Sequence, residues 1–175
     1  MNSPAQATSA PQRYPLEALR AVVETLFTAT GMDADKARCV TESLLTADSM
    51  GHSTHGLALA PWYLEAARTG VMTITGDKTV VNARGGCLTW NGNRLPGAWL
   101  IHQAIDAALE RIEEHGVVTV AIANSHHTGA LATYLPRLTE RGLLVQLVNS
   151  GPAAAGVAPY GGTQAVFTPN PIAAG

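Results

Sequence analysis

One amphipathic segment, Gly97–His115, constrains the fold of this chain more than any other. Its apolar residues recur at helical spacing and its opposite face is charged, which is the pattern of a helix that buries one side. Two short apolar runs precede it, Lys78–Ala83 and Cys87–Trp90, and a third, Val117–Ile122, follows it. A glycine-containing turn separates the first two runs and predicts a hairpin. Helices that alternate with strands in this way predict a mixed α/β fold.

The part of the chain before the hairpin reads as helical. Apolar spacing predicts a helix from Leu16 to Thr30, with a stripe that includes Val22, Val23, Leu26 and Phe27. Asp33 can cap a second helix that ends near Met50 and Gly51. A third helix is predicted over Leu57–Ala67, and it contains Pro61.

The part after Val117–Ile122 is less regular. A helix is predicted over Ala130–Arg141, although Pro136 would delay its first regular turn to about Thr133. A strand over Leu143–Val148 follows. From Asn149 onward the chain is rich in Gly, Pro and Ala, and Ala165–Phe167 is its only short apolar run.

Composition excludes several classes of function. The chain of 175 residues is 46% hydrophobic and 14% charged, with a net charge of −2. It has no basic run for nucleic acid or anionic membrane, and no apolar stretch of the roughly 18–20 residues that span a bilayer. Residues 1–14 are expected to form a flexible tail without the features of a secretory signal. Two cysteines, Cys39 and Cys87, are too few for a disulfide framework, so a cytoplasmic protein with two buried, reduced thiols is expected.

Two histidine-containing turns are the strongest candidates for chemistry. Asn124–Gly129 carries His126 and His127 after a predicted strand, and Gly51–Gly56 carries His52 and His55 after a predicted helix. Imidazole titrates near neutrality, so either turn could transfer protons. The same residues could instead be ordinary turn and capping residues. The four histidines could also bind a metal, but neither turn adds a carboxylate or a cysteine.

Common nucleotide and hydrolase motifs are missing from the sequence. Gly151–Gly156 has the glycine spacing of a Walker A loop, but Val157 and Ala158 replace its Lys-Ser/Thr pair. No G-x-G-x-x-G follows a predicted strand, which excludes the Rossmann fingerprint. Gly51–Gly56 is one residue too long for a nucleophile elbow and follows a helix.

Taken together, the histidine turns and two later segments resemble the motifs of the malate/L-lactate dehydrogenase-like oxidoreductases. Gly51–Gly56 followed by Pro61 and Tyr63 is similar to the family's G-x-D-S-H-G…P-x-Y, and Asn124–Ala130 is similar to N-S-x-H-F-G-A. The later segments are similar to N-S-x-P…A-P-x-G-G and to the end of G-T-N-P-I-A: Asn149-Ser150-x-Pro152, Ala158-Pro159-x-Gly161-Gly162 and Asn170-Pro171-Ile172-Ala173. The family also includes ureidoglycolate and sulfolactate dehydrogenases and Δ1-piperideine-2-carboxylate reductases.

The resemblance implies a non-Rossmann enzyme, usually a homodimer, that uses NAD or NADP. Such enzymes transfer a hydride between a nicotinamide and a small 2-hydroxy, 2-oxo or 2-imino acid. His127 matches the general acid/base histidine, His55 a second active-site histidine, and Thr54 a serine in a relay with it. The positions that match cofactor contacts are Thr128, Gly129, Ala130, Leu131 and Ser150. N–H groups at the start of the helix after His127 could also hold a cofactor phosphate.

The sequence departs from the family pattern at several positions. Leu59 stands where an arginine usually grips the substrate carboxylate, and leucine cannot provide that bidentate contact. Ser53 replaces an aspartate, and Thr168-Pro169 replaces the G-T that precedes N-P. Family members are also roughly twice as long, so the chain resembles their N-terminal half.

The resemblance therefore predicts a division of the chain and leaves alternatives open. Residues 15–115 would form a helical region for substrate binding and dimerisation, and residues 116–175 the first part of a mixed-sheet cofactor domain. The leading interpretation is a truncated or half-length oxidoreductase. One alternative is a catalytically silent or split-enzyme subunit that needs a complementary half, because an unfinished sheet exposes an edge. A weaker alternative is a histidine-based metal-binding protein.

Overall fold

The computed structural model of the protein describes residues 13–151 and 155–175. Nearly all of the predicted tail, and Pro152 of the third motif, lie outside these residues. The chain begins with three α-helices: α1 (Leu16–Ala29), α2 (Ala34–Ser49) and α3 (Ala60–Arg68). The three predicted N-terminal helices are thereby confirmed in number and order.

Two of these helices begin differently from the prediction, and local hydrogen bonds explain the difference. Two 3₁₀ turns, Ser53–His55 and Leu57–Leu59, precede α3, so α3 begins three residues later than predicted. Pro61 lies in the first turn of α3, where a missing N–H costs little. Asp33 occupies the N-cap position of α2 without capping it. Its carboxylate instead accepts hydrogen bonds from Lys36 Nζ at 2.9 Å and from the Gly76 N–H at 3.1 Å.

A three-stranded sheet follows the helices. β1 (Thr79–Arg84) and β2 (Cys87–Asn91) form the predicted antiparallel hairpin, and β3 (Thr119–Ala123) pairs with β2 in parallel. Parallel neighbours need a crossover connection, and the amphipathic segment provides it. That segment is divided into α4 (Gly97–Leu109) and the single turn α5 (Ile112–His115). The mixed α/β fold is confirmed.

The predicted helix over Ala130–Arg141 is wrong as a continuous element. The structure has a 3₁₀ turn at Leu131–Tyr134 and a single α-helical turn, α6 (Pro136–Thr139). Pro136 has no N–H to donate, and its ring would collide with a carbonyl one turn earlier in a continuous helix. A regular α-helical turn can therefore only begin at the proline.

A second, two-stranded sheet lies at the end of the described chain. β4 (Gln146–Val148) is shorter than predicted and pairs in antiparallel with β5 (Ile172–Ala174), which has no periodic signal in the sequence. Val145 and Gly175 extend the pairing by one residue on each strand, because the N–H of each donates a hydrogen bond to the carbonyl of the other. This sheet brings the last motif back beside the segment after His127.

The main core lies between the N-terminal helices, α4 and the 3₁₀ turn at Leu131–Tyr134. Helix α1 contributes Val23 and Phe27 to this core. Val22 and Leu26, which were predicted in the same apolar stripe, are instead 58% and 46% exposed. The expectation of two buried thiols is also corrected. Cys39 is half-buried and Cys87 is exposed, and neither is in a disulfide.

Candidate active site

The turn that carries His126 and His127 is fixed by backbone contacts with the segment after β2. The Arg94 N–H donates to the Asn124 carbonyl at 2.7 Å, and the His126 N–H donates to the Leu95 carbonyl at 3.0 Å. Asn124 takes a left-handed conformation (φ 53°), which asparagine tolerates better than most residues. The two backbone segments thus run side by side up to His126.

Gly97 allows α4 to begin directly against this turn. A Cβ atom on Gly97 would lie 2.6 Å from the carbonyl oxygens of both His126 and His127. No carbon atom approaches backbone oxygen that closely without displacement. The glycine is therefore required by close approach, and it sets the distance between α4 and the histidine turn.

His127 is held at one ring nitrogen. Its Nδ1 lies 2.6 Å from the hydroxyl of Tyr63, which comes from α3, and 3.3 Å from the backbone nitrogen of Gly129. Burial raises the pKa of Tyr63, so its hydroxyl keeps the proton and donates it. The Gly129 N–H is also a donor. Nδ1 must then accept, and the neutral ring carries its proton on Nε2.

The first histidine turn brings His55 beside His127. The two rings are stacked, with centroids 6.0 Å apart and planes inclined by 24°. Thr54 Oγ1 lies 3.0 Å from His55 Nδ1. The structure therefore places the three sequence-predicted catalytic residues together, with Thr54 next to His55 and His55 next to His127. His52 is exposed.

Asp48, at the end of α2, fixes the turn that carries His55. Its Oδ2 accepts a hydrogen bond from the Leu57 N–H at 2.9 Å. The carboxylate lies so close to Gly56 that a Cβ there would be 1.9 Å from Oδ1. The second glycine of this motif is thus explained by packing against Asp48.

The predicted cofactor residues fall into two groups. Thr128 and Leu131 are 8% and 7% exposed, so their side chains are committed to the interior. Gly129 and Ala130 are half-buried, and Ser150 is exposed. The helix start that was expected to hold a phosphate is instead a short 3₁₀ turn, which offers no comparable row of aligned N–H groups.

A buried hydrogen-bond network fixes the peptide after His127. The Tyr134 hydroxyl donates to the Thr128 carbonyl and lies 3.1 Å from Ser43 Oγ of α2. Asn149 Nδ2 donates to Thr128 Oγ1 at 2.9 Å. Burial raises the pKa of Tyr134, so its hydroxyl also stays protonated. The network holds the Thr128–Gly129 peptide, whose Gly129 N–H points at His127.

Both histidines of the turn are held neutral by their surroundings. Burial first, and then repulsion from His55, lowers the pKa of His127. Burial lowers the pKa of His126 to about 4, with further contributions from His127 and Arg94. Around neutral pH, His127 can therefore present an Nε2–H donor to a ligand while its other nitrogen is occupied.

The described residues show neither a metal centre nor a membrane-spanning helix. Within residues 13–151 and 155–175, no three His, Cys, Asp or Glu side chains are grouped so that they could hold a metal ion. None of the helices in these ranges has the length and apolar character to cross a membrane.

Several residues around the two histidines carry no separate signal in the sequence, namely Ser43, Asp48, Trp62, Gly97 and Tyr134. Tyr63, in contrast, stands in the P-x-Y pattern.

Burial is the main cause of the lowered pKa of His127, and it should persist without the Tyr63 hydroxyl. Tyr63→Phe removes the hydrogen bond to Nδ1 but keeps an aromatic ring that excludes water. We expect the pKa of His127 to stay below its ordinary value in this variant, measured by NMR titration of the imidazole. Tyr14→Phe is the matched control, because Tyr14 is 58% exposed. A pKa that returns to the ordinary value in Tyr63→Phe would contradict burial as the main cause.

Comparison with known proteins identifies the family of the chain. Residues 14–175 match the family model described as malate/L-lactate dehydrogenase. Hydroxycarboxylate dehydrogenase B of Escherichia coli O157:H7 is 27% identical over 160 residues, which are 91% of this chain and 44% of that protein. The (2R)-3-sulfolactate dehydrogenase (NADP(+)) of Chromohalobacter salexigens is 31% identical over 153 residues, covering 83% of this chain and 43% of that protein.

A solved structure shows the same fold. A dehydrogenase from Sinorhizobium meliloti superposes with a TM-score of 0.82 at 31% identity, over 93% of this chain and 48% of that one. The chain thus spans somewhat less than half the length of these relatives. Because the family model covers nearly the whole sequence, the chain belongs to the malate/L-lactate dehydrogenase family.

Proposed function

We propose that the protein is an oxidoreductase that transfers a hydride between NAD or NADP and a small 2-hydroxy, 2-oxo or 2-imino acid. Family membership supports this class of reaction, and the names of the relatives supply hydroxy acids as substrates. The observation that carries the proposal is His127, with two donors at Nδ1 and the stacked ring of His55 beside it. That arrangement occupies Nδ1 and leaves Nε2 of His127 as the nitrogen that faces a substrate.

In this proposal His127 is the proton donor of the reduction. A bound nicotinamide would supply the hydride to C2 of the substrate. The ring of His127 first takes up a second proton, from solvent, at Nδ1, and the Tyr63 hydroxyl turns to accept a hydrogen bond from it. The carbonyl oxygen, or the imine nitrogen, then gains electron density and takes the Nε2 proton of this imidazolium, which leaves a neutral ring. The Gly129 N–H orients the ring when Nδ1 is bare, and the Tyr63 hydroxyl orients it in both charge states. In the oxidation direction, Nε2 of the ring that is protonated at Nδ1 accepts the proton.

His55 and Thr54 are proposed to act beside His127. His55 stacks beside the ring of His127 and contributes to the lowered pKa of His127. Thr54 fixes the ring of His55 through Nδ1. A proton delivered to His127 could arrive from this side, since Thr54 is exposed to solvent.

The cofactor contacts are proposed at the residues after His127. Gly129 and Ala130 are half-buried and Ser150 is exposed, so these residues are accessible to a nicotinamide dinucleotide. Thr128 and Leu131 would contribute through their backbone, because their side chains point into the interior. We further propose that residues 15–115 serve substrate binding and homodimerisation, and that residues 116–175 belong to the cofactor domain.

A reduction assay tests the proposed activity. The purified protein is mixed with NADH or NADPH and a panel of 2-oxo and 2-imino acids, and the loss of nicotinamide absorbance is followed. On the half-length interpretation we expect little turnover from the 175 residues alone, and roughly 1 per second or more with at least one acid when the other half of the enzyme is supplied, in the same chain or as a separate one. Absence of turnover in both preparations, with every acid and both cofactors, would contradict the proposal and favour a silent subunit.

A further inference from the structure

The proposed acid/base residue has an aromatic side wall. The ring of Trp62 lies with its centroid 5.4 Å from that of His127, at an interplanar angle of 74°, and 5.4 Å from that of His126, at 35°. Trp62 precedes Tyr63 on α3, but it is 49% exposed whereas Tyr63 is 4% exposed. Tyr63 therefore orients His127 from the interior, while the ring of Trp62 is accessible to a ligand.

This wall carries no charge near neutral pH. Trp62 is neutral, and His126, with a pKa of about 4, is neutral as well. Nδ1 of His126 is buried and has no hydrogen-bond partner among the described residues. Arg94 is the cation whose field reaches His126, but its Nε and Nη2 both donate to the Val71 carbonyl. Leu59, which precedes α3, adds an apolar side chain packed on the core.

We propose that the Trp62–His126 wall receives the group on C3 of the substrate and selects an apolar or aromatic group over a second acid group. This inference rests on the proposed function, because it assumes that His127 faces C2 of a 2-oxo acid. It sets this chain apart from the family's description, which names malate, and from the relative whose name specifies sulfolactate. Both of those acids carry an anionic group on C3.

The expected preference follows from the neutrality of the two rings. A carboxylate or sulfonate placed against two neutral rings would lose water without gaining an ion pair, which is costly. A phenyl or alkyl group in the same place would lose only unfavourable contact with water. An aromatic group would also gain ring–ring contact with Trp62. Discrimination of roughly 10-fold corresponds to about 1.4 kcal/mol, which one such contact can provide.

The test compares two 2-oxo acids that differ only at C3. Phenylpyruvate carries a phenyl group there and oxaloacetate carries a carboxylate, while pyruvate serves as the reference for both. We expect kcat/KM to be at least about 10-fold higher for phenylpyruvate than for oxaloacetate, and Trp62→Ala to remove most of that ratio. Trp62→Phe should retain it, because an aromatic face remains. Leu144→Ala, at a side chain that is 94% exposed, is the control and should leave the ratio unchanged.

A binding measurement separates failure of this inference from failure of the proposed function. Titration calorimetry of phenyllactate and malate, with NADH or NADPH present, involves no hydride transfer, because both the acid and the nicotinamide are already reduced. Tighter binding of phenyllactate that depends on Trp62 would support the wall even if no turnover occurs. Equal binding, tighter binding of malate, or a preference that survives Trp62→Ala would overturn it.

Discussion

Replacing His127 by alanine is expected to reduce kcat by about 10²- to 10⁴-fold, the usual contribution of a positioned acid/base residue. The variant loses the nitrogen that we propose to exchange a proton with the oxygen or nitrogen on C2 of the substrate. The methyl group of alanine also leaves the Tyr63 hydroxyl and the Gly129 N–H without their acceptor. Steady-state rates with the best 2-oxo acid, and the unfolding free energy of the variant, are the measurements.

His102→Ala is the matched control for that experiment. His102 is also a half-buried histidine: it packs edge-on against Tyr134 at 5.5 Å and accepts a hydrogen bond from Arg137 at 3.2 Å. Among the described residues, His102 makes no ring contact or hydrogen bond with another histidine, so we expect its loss to change kcat by less than about 10-fold. Equal losses in the two variants would show that His127 supports the structure and does not take part in the reaction.

Gly97→Ala is expected to lower the free energy of unfolding by about 1–3 kcal/mol, as insertions into a filled space usually do. Alanine has the higher helix propensity, by up to ~1 kcal/mol in a helix interior, so propensity alone would predict stabilisation. The new Cβ would meet two carbonyl oxygens at 2.6 Å, and backbone cannot yield as a flexible side chain would. Equilibrium unfolding in urea provides the measurement.

Gly156→Ala is the control for the backbone contact. A Cβ on Gly156 would meet no atom within 4 Å, and its φ lies outside the left-handed region. This substitution should leave the unfolding free energy within about 0.5 kcal/mol of the original or raise it slightly. Stabilisation by Gly97→Ala, or an equal loss in both variants, would refute the close approach of α4 to the histidine turn.

Local pattern predicted the regular elements of this fold well. The periodicities of α1, α2, α4 and the hairpin strands are strong, and their caps and glycine stops lie close to the observed ends. The sequence around Pro136 has helical apolar spacing, but the ring of the proline prevents a continuous helix, so covalent geometry overrides periodicity there. β5 was missed because three residues give no period, and its pairing with β4 is a long-range contact.

The candidate site was predictable only as far as motifs reach. Their order predicts that His55 and His127 belong together, and the structure stacks their rings. The hydrogen bond from Tyr63 joins residues 64 positions apart, and the contact of Ser43 with Tyr134 joins residues 91 positions apart. No local spacing encodes such partners. The lowered pKa of His127 likewise depends on burial, which is a property of the folded chain.

Helix α2 supports the turns of both His55 and His127, and so fixes the distance between them. Ser43 supports the segment after His127 through Tyr134, and Asp48 holds the turn of His55 through the Leu57 N–H. These two anchor points are separated by five residues of one α-helix, which corresponds to about 7.5 Å along its axis. Because a helix hardly stretches, a displacement of α2 would carry both imidazoles together. The distance between the imidazoles of His55 and His127 should then stay the same when α1 or the hairpin moves.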